Sequence, residues 1–314
     1  MRKWIPLIEF EDFLEAKGNK LDAVYTLQHY AEGWGGKWEE KLDERPCTED
    51  NPFVFLEDGL WHGRLWGMDI IAKNVTCISI QGQASTLLPL FTKSTIRTVF
   101  IGRAETILHD EFGGKWFWSA RRSMRFANHL REEADEFRKK YLDSDDVRDK
   151  TEVYEDWRDR KPSRGTALGG PYISVHLRRQ DFIYARQDEV PTLKRAAKQI
   201  AKLLKLYELE KVYIATDAPL EETKELQQEL KSFRVFHYIP SQDVFNQWGD
   251  GGVAIIDQII CSHARYFIGS YESTFSFRIQ EEREILGFPV DTTFNRLCGK
   301  KSKCEQPAKW KIVY

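Results

Sequence analysis

Long apolar runs are missing from this sequence, and no stretch approaches the roughly 20 consecutive apolar residues that a membrane-spanning helix needs. An excess of charge of one sign is missing as well. Lys and Arg number 47, Asp and Glu number 49, and the net charge is -2. A near-neutral balance gives no basic field that would attract nucleic acid or an anionic membrane surface. We therefore expect neither a membrane span nor a nucleic-acid partner.

Cysteine is scarce, with 5 residues, and none of them forms a Cys-x2-Cys pair of the zinc-binding type. Cys298 and Cys304 flank a polar, glycine-containing loop of the kind that a disulfide closes, whereas Cys261 lies in an apolar stretch and is predicted to be a buried free thiol. The tripeptide that starts at Asn74 is a glycosylation sequon. The residues that follow Met1 show no signal peptide. We expect a secretory-pathway protein whose targeting segment is missing from this chain, and no metal site.

The length of 314 residues exceeds what one hydrophobic core usually serves, so two domains are expected. Residues 143–165 are almost continuously charged, which predicts a linker or an exposed helical hairpin between domains at 1–142 and 166–314. Strand and helix patterns alternate through the second of these domains. That alternation predicts an α/β fold with a parallel, doubly wound sheet, which binds ligands at the carboxyl ends of its strands.

Basic residues close the first predicted strand of the second domain, where His176, Leu177, Arg178 and Arg179 follow one another. Guanidinium groups bind phosphate oxygens in a bidentate manner, so these arginines are candidates for holding a diphosphate. The alternative is surface arginines that cap a strand.

Hydroxyl groups open a later helix at Ser273 and Thr274, before Phe275. Free backbone N–H groups and the positive helix end favour an anion there, and an ordinary N-cap is the alternative. Together with the arginines, this turn predicts a site for a nucleoside diphosphate.

Two carboxylates lie on predicted helices. Asp257 shares a face with apolar residues, so it binds a ribose or base edge of a ligand, or it satisfies a neighbouring backbone group. Glu282 follows Arg278 by one helical turn, a spacing that by itself predicts a surface ion pair.

These segments resemble the GDP-fucose protein O-fucosyltransferase family. The matching runs are residues 176–182, 250–258, 273–279, 281–287 and 304–307, with 30–34 and 43–47 in the first half. The likeness spans essentially the whole chain. It is closer to the branch that modifies thrombospondin type 1 repeats than to the Notch-type branch, which differs at the arginine motif.

The resemblance implies a GT-B architecture, with two Rossmann-like domains facing a cleft. It also implies inverting, metal-independent transfer of fucose from GDP-fucose to Ser or Thr of folded thrombospondin type 1 repeats in the lumen of the endoplasmic reticulum. The positions that would contact the donor, with Ser273 added from the helix start, are His176, Leu177, Arg178, Asp257, Ser273, Thr274 and Phe275.

Further roles follow from the same resemblance. Arg178 would bind the β-phosphate, and Glu282 would be needed for activity, which replaces its interpretation as a surface ion pair. The family also implies disulfides that join Cys47 to Cys77 and Cys298 to Cys304, and a glycan on Asn74.

One departure from the family concerns the segment expected upstream of Met1, which in family members carries the glutamate that acts as general base. That segment is absent from this sequence. From this we expect an N-terminally truncated chain whose first domain is incomplete and which does not transfer fucose at a normal rate. The alternative hypothesis is a non-catalytic protein that binds GDP or a repeat.

Overall fold

The computed structural model describes residues 7–33, 39–92, 95–107, 113–154, 156, 158, 163–293, 295–300 and 304–306. The chain divides between Ala120 and Arg121 into two compact units, called here the N-unit and the C-unit. None of the described helices is long and apolar enough to cross a membrane.

The N-unit is built on a mixed sheet. Its described strands are β1 (Lys20–Gln28), β2 (Lys41–Glu44), β3 (Phe53–Phe55), β4 (Trp61–Leu65), β5 (Met68–Gln81) and β6 (Val99–Gly102). The order is β3-β4-β5-β1-β6, with β2 also beside β5. β1 pairs in parallel with β5 and β6, whereas β2 and β4 pair with β5 in antiparallel fashion. The described helices are α1 (Phe10–Lys17), α2 (Leu88–Thr92) and α3 (Lys115–Ser123), the last of which leads into the C-unit.

Both expected disulfides are present. Cys47 is bonded to Cys77 on β5, and Cys298 is bonded to Cys304. Cys261 is a buried free thiol, as predicted. Asn74 lies on β5 with an exposed side chain.

The C-unit holds a parallel sheet, which confirms the predicted α/β class. Its described strands are β7 (Gly170–Leu177), β8 (Lys211–Thr216), β9 (Arg234–Phe236), β10 (Ala264–Gly269) and β11 (Asn295–Arg296). They pair in parallel in the order β11-β10-β7-β8-β9. The chain runs outward from β7 to β9 and then crosses back to β10, so the strand order reverses between β7 and β10. That reversal is the topological switch point where doubly wound sheets bind ligands.

Helices cover both faces of this sheet, which is why β7 and β8 are almost continuously buried. The described helices are α4 (Asn128–Leu142), α5 (Asp146–Asp149), α6 (Phe182–Ala185), α7 (Leu193–Leu206), α8 (Leu220–Glu229), α9 (Gln242–Ser262), α10 (Thr274–Leu286) and α11 (Val290–Thr293). Gly249 interrupts the helical geometry of α9 with φ 60°. Side chains of α7 pack on one face of the sheet, and those of α4, α9 and α10 pack on the other.

The structure divides the chain earlier than the predicted boundary at 143–165. Leu130, Ala134 and Leu142 of α4 belong to the core of the C-unit. Arg138, on the same face, is 1% exposed and pairs with Asp146 at 2.8 Å. Asp146 and Asp149 of the predicted linker are therefore paired with a buried arginine at the edge of the core. Residues 155, 157 and 159–162 of that segment lie outside the described residues.

Candidate functional site

The predicted site residues of two segments meet at the switch point. The loop after β7 and the loop after β10 lie at the same edge of the sheet because both strands are parallel neighbours. Arg178 is in the first loop, and Ser273 is in the second, directly before α10. The parallel pairing of β7 and β10 thus brings the arginine motif and the helix start to one edge, although they are about a hundred positions apart in the sequence.

The side chain of Arg178 is open to a ligand. It is 38% exposed, and its Nε lies 2.9 Å from Asp181 Oδ1 and 3.4 Å from Asp217 Oδ2. The guanidinium also lies over the ring of Phe182, at 5.4 Å from the ring centroid. The hydrogen bond to Asp181, followed by the charges of both aspartates, raises the pKa of Arg178 above its already high ordinary value. Arg178 is therefore a permanent cation at the switch point.

Arg179 does not share this role, contrary to the prediction that groups the two arginines. Its side chain is 11% exposed and is paired with Glu222, with Nε at 2.7 Å and Nη2 at 3.1 Å from the carboxylate oxygens. Its Nη1 donates to the carbonyl oxygen of Pro191 at 2.9 Å. Arg179 therefore stabilises the loop by linking it to Glu222 and Pro191. Of the two arginines, only Arg178 faces solvent.

Leu177 has its side chain inside the core on the α7 face, where it is 1% exposed. Only its backbone is therefore available to a ligand. Its carbonyl oxygen already accepts a hydrogen bond from Thr216 Oγ1 at 2.6 Å.

Two serines that the sequence argument missed tie the loops together. Ser270 Oγ accepts a hydrogen bond from the backbone N–H of Arg178 at 2.8 Å and donates to the carbonyl oxygen of His176 at 3.0 Å. Ser276 Oγ accepts from the backbone N–H of Ser270 at 3.0 Å and lies 2.8 Å from His176 Nδ1. The end of β7 and the first turn of α10 are thus held as one unit.

His176 is neutral at physiological pH, because burial and then the charge of Arg178 lower its pKa to about 3. Its ring stacks on Phe275, with centroids 4.2 Å apart and planes inclined by 21°. His176 is only 4% exposed, so its ring supports that of Phe275 and contributes no positive charge to the site.

The first turn of α10 faces the same edge. Its N-cap, Ser273, makes no capping hydrogen bond with its side chain, and Thr274 is exposed. The first N–H groups of a helix lack intrahelical partners and carry the positive end of the helix dipole. Arg178 and this helix end together make a positive site of the kind that binds phosphate groups.

Asp257 lies on the face of α9 that packs against β8. Its Oδ1 accepts a hydrogen bond from the hydroxyl of Tyr213. Burial raises the pKa of Asp257 to about 7, although the bond from Tyr213 acts in the opposite direction. The sequence left open whether Asp257 binds a ligand or satisfies a neighbouring backbone group. In the structure, the side chain of Tyr213, and not a backbone group, satisfies one of its carboxylate oxygens.

Glu282 stands apart from the other predicted residues. Its Oε1 accepts from Arg121 Nη2 at 2.8 Å, while Arg121 Nε donates to Glu281 at 2.5 Å. The side chains of Arg121 and Glu282 are 6% and 13% exposed. Glu282 lies eight residues beyond Thr274, or about 12 Å along the helix axis. It is therefore a member of a buried ion-pair cluster below the ligand edge.

The predicted general base is not among the residues located above, because the resemblance places it upstream of Met1. Met1 itself, with residues 2–6, lies outside the described residues. The location of the base therefore stays a prediction, and so does the incompleteness of the first domain.

Three of the functional positions that sequence reasoning missed carried a usable signal. Asp217 and Ser270 each directly follow a strand that the sequence predicts, so the strand-end rule that selected Arg178 applies equally to them. Ser276 belongs to the same predicted helix start as Ser273. Arg121 had no such signal, because its partners are 160 and 161 positions away in the sequence.

Comparisons with known proteins give a consistent result. A model of the family "GDP-fucose protein O-fucosyltransferase" matches residues 65–286. The chain is 50% identical over 319 residues to GDP-fucose protein O-fucosyltransferase 2 of Homo sapiens and 49% identical over 324 residues to that of Caenorhabditis elegans, covering 100% of this chain and 74% of each relative. The Drosophila melanogaster protein of the same name is 36% identical over 341 residues and is covered to 68%. A crystal structure of POFUT1 in complex with GDP-fucose aligns with a TM-score of 0.46 and 16% identity, over 68% of this chain and 57% of that one.

Proposed function

This chain belongs to the GDP-fucose protein O-fucosyltransferase family, and from that premise we propose that it transfers fucose to Ser or Thr side chains of folded thrombospondin type 1 repeats. The protein is a glycosyltransferase that uses GDP-fucose. The single observation that carries the site is the chain of hydrogen bonds from the Arg178 N–H to Ser270 Oγ and from the Ser270 N–H to Ser276 Oγ, which ties the Arg178 loop to the first turn of α10.

The reaction is an inverting displacement at C1 of fucose. The acceptor hydroxyl oxygen forms a bond to C1 and gives its proton to a general base, while the bond between C1 and the phosphate oxygen breaks. GDP leaves with the electron pair, so negative charge develops on the β-phosphate. Arg178 and the positive end of α10 lie where they stabilise that charge, and such preorganised groups are worth about 3–4 kcal/mol each in other enzymes.

The residues beside the proposed diphosphate site would bind the nucleoside of GDP-fucose. The stacked rings of His176 and Phe275 offer an apolar surface beside the phosphate site. One carboxylate oxygen of Asp257 accepts the hydrogen bond from Tyr213. The other oxygen would accept a hydrogen bond from an N–H group of the base or from a ribose hydroxyl. Leu177 would contribute only backbone contacts, since its side chain is buried.

In this proposal Glu282 is needed for activity because it helps to hold α10 in place, and it does not itself transfer a proton. Its pairing with Arg121 and its distance from the first turn of α10 support a role in holding α10 in place. We assign no residue of this chain to the general base.

Metal independence is also part of the proposal. Arg178 and the end of α10 supply the positive charge that a divalent ion supplies to the diphosphate in other glycosyltransferases. Transfer should therefore continue in excess EDTA. A complete loss that Mg²⁺ or Mn²⁺ restores would contradict this.

The compartment that fits the chemistry is the lumen of the endoplasmic reticulum. Disulfides such as Cys47–Cys77 and Cys298–Cys304 persist in oxidising compartments. Asn74, exposed on β5, would carry a glycan there. Mass spectrometry of the secretory-pathway protein before and after glycosidase treatment tests that modification.

The experiment for the main proposal follows the mass of the acceptor. The protein is incubated with GDP-fucose and a folded thrombospondin type 1 repeat, and one deoxyhexose should be added. The controls are the same repeat after reduction and alkylation, and the Arg178→Ala variant. Transfer to the folded repeat that survives in Arg178→Ala would remove Arg178 from the reaction. GDP binding without transfer would instead identify a non-catalytic binding protein.

A further inference from the structure

Asp217 contacts three successive residues of the loop that carries Arg178. It directly follows β8, the strand beside β7. Its Oδ1 accepts from the backbone N–H of Arg179 at 2.6 Å, and its Oδ2 lies 3.4 Å from Arg178 Nε. Its backbone carbonyl accepts from the Gln180 side-chain amide at 2.8 Å. One residue at the end of β8 therefore holds the backbone of the arginine loop and places a carboxylate beside the guanidinium.

The guanidinium is held by one edge only. Both of its carboxylate neighbours, Asp181 and Asp217, approach Nε. Among the described residues, the side chain of Arg178 donates its hydrogen bond through Nε, and neither Nη1 nor Nη2 makes one. A guanidinium has five N–H donors in a fixed planar fork. Anchoring Nε thus presents the four Nη hydrogens to a ligand in a defined direction.

The two aspartates are not equivalent. Asp181 is on the same loop as Arg178, three residues on, and its side chain is 56% exposed. Asp217 is 27% exposed, and its orientation is fixed by the bond from the Arg179 N–H. Of the two aspartates, only Asp217 comes from the end of a neighbouring strand and so ties the position of the guanidinium to the sheet.

We propose that Asp217 is a positioning residue for the transfer reaction and sets the direction in which Arg178 meets the leaving phosphate. This inference rests on the proposed function. It also predicts an unusual pair of effects. The negative charge of Asp217 next to Arg178 weakens the attraction of the site for a diphosphate, while its geometry favours the transition state. Removal of the charge should therefore tighten GDP binding and slow turnover.

The decisive variant is Asp217→Asn, because its amide oxygen still accepts from the Arg179 N–H while the charge opposite Nε is lost. Asp217→Ser, whose hydroxyl also accepts that bond, is the second variant in case the first does not fold. Calorimetry gives the Kd for GDP, steady-state kinetics gives kcat and KM for GDP-fucose with a folded repeat, and thermal unfolding gives the Tm. Asp181→Asn is the matched comparison, since it removes a charge at the same nitrogen.

We expect Asp217→Asn to lower kcat by about 10- to 100-fold, as small misplacements of catalytic groups do. Its Kd for GDP should be equal to or lower than that of the wild type, at an unchanged Tm. Asp181→Asn should tighten GDP binding similarly but lower kcat by only about threefold or less, because Asp217 still orients Arg178.

Three results would overturn the inference. One is an unchanged kcat in both Asp217 variants, and another is an equal loss in Asp181→Asn. The third is a fall in kcat accompanied by weaker GDP binding and a lower Tm, which is the signature of general loop damage. A wild-type protein that neither binds GDP nor transfers fucose would instead refute the proposed function, so the two failures are distinguishable.

Discussion

Replacement of Glu282 tests whether its carboxylate acts as an acid or base in the reaction or instead holds α10 in place through Arg121. The residue is 13% exposed and shares Arg121 with Glu281. Glu282→Gln keeps the shape of the side chain and an oxygen that accepts from Arg121 Nη2. Glu282→Ala removes both. Arg121→Met removes the cation and leaves two neighbouring buried carboxylates without it.

The magnitudes follow from what each variant leaves unpaired. Removal of one partner from a buried ion pair costs about 3–5 kcal/mol of unfolding free energy. Arg121→Met should fall at the lower end of that range, because Glu282 loses its hydrogen-bond partner while Glu281 keeps Arg278 at 2.8 Å. Glu282→Ala should cost less, about 2–3 kcal/mol, since Arg121 keeps its bond to Glu281. Glu282→Gln exchanges a charge-assisted hydrogen bond for a neutral acceptor and should cost about 1 kcal/mol.

Urea unfolding, GDP calorimetry and transfer kinetics on the same preparations provide the assay. If Glu282 acts by position, the loss of turnover should follow the order of destabilisation, and Glu282→Gln should retain at least about a third of wild-type turnover, because no proton transfer depends on it. Glu225→Gln, on the exposed side of α8, is the matched control for loss of one negative charge. The reasoning fails if Glu282→Gln unfolds like the wild type but loses turnover about 100-fold or more, as expected for a general acid or base.

Three further predictions test other parts of the C-unit. Arg178→Lys keeps a charge but loses the planar fork, so transfer should slow by about 100-fold or more in steady-state assays, and near-normal turnover would contradict the assignment. Asp257 has its pKa raised from 3.8 to about 7 on folding, so the folded state binds more protons between these values. Stability should then fall as the pH rises from 4 to 7, and Asp257→Asn should flatten that slope in urea titrations. Arg283, 0% exposed, donates to the carbonyl oxygens of Ser262, Ala264 and Thr292. Arg283→Met should therefore cost about 3–5 kcal/mol in urea unfolding, whereas a loss below about 1 kcal/mol would show that these carbonyls find other partners.

Much of the C-unit was predictable from its sequence because the signals are local. Buried parallel strands are rich in apolar residues, and β7 and β8 show this even though Ser174 and His176 interrupt β7. The alternation of these strands with helical segments predicts the doubly wound sheet, and parallel strands bring their carboxyl ends to one edge. Arg178 and Ser273 are therefore expected at the same edge of the sheet from the sequence alone.

The charged segment around α4 shows where local signals fail. Charge density predicts solvent exposure only when the charges have no partners in the fold. Arg138 is buried because Asp135 and Asp146 lie within 2.8 Å of it, and the Asp146 pairing depends on how the chain turns after α4. Leu130, Ala134, Arg138 and Leu142 do recur at multiples of four residues, which marks one helix face.

The same limit applies to the functional site, where the two halves come from segments that are distant in sequence. β7 and β10 are neighbours only because the chain leaves toward β9 and returns through α9. A cation in one loop and a helix end in the other act on the same phosphate only if their spacing is fixed. The bonds from Arg178 to Ser270, from Ser270 to Ser276, and between Ser276 and His176 supply that spacing, each at 2.8–3.0 Å. Sequence shows which residues can bind a diphosphate, but the hydroxyl groups that fix them relative to one another acquire this role only when the sheet has formed.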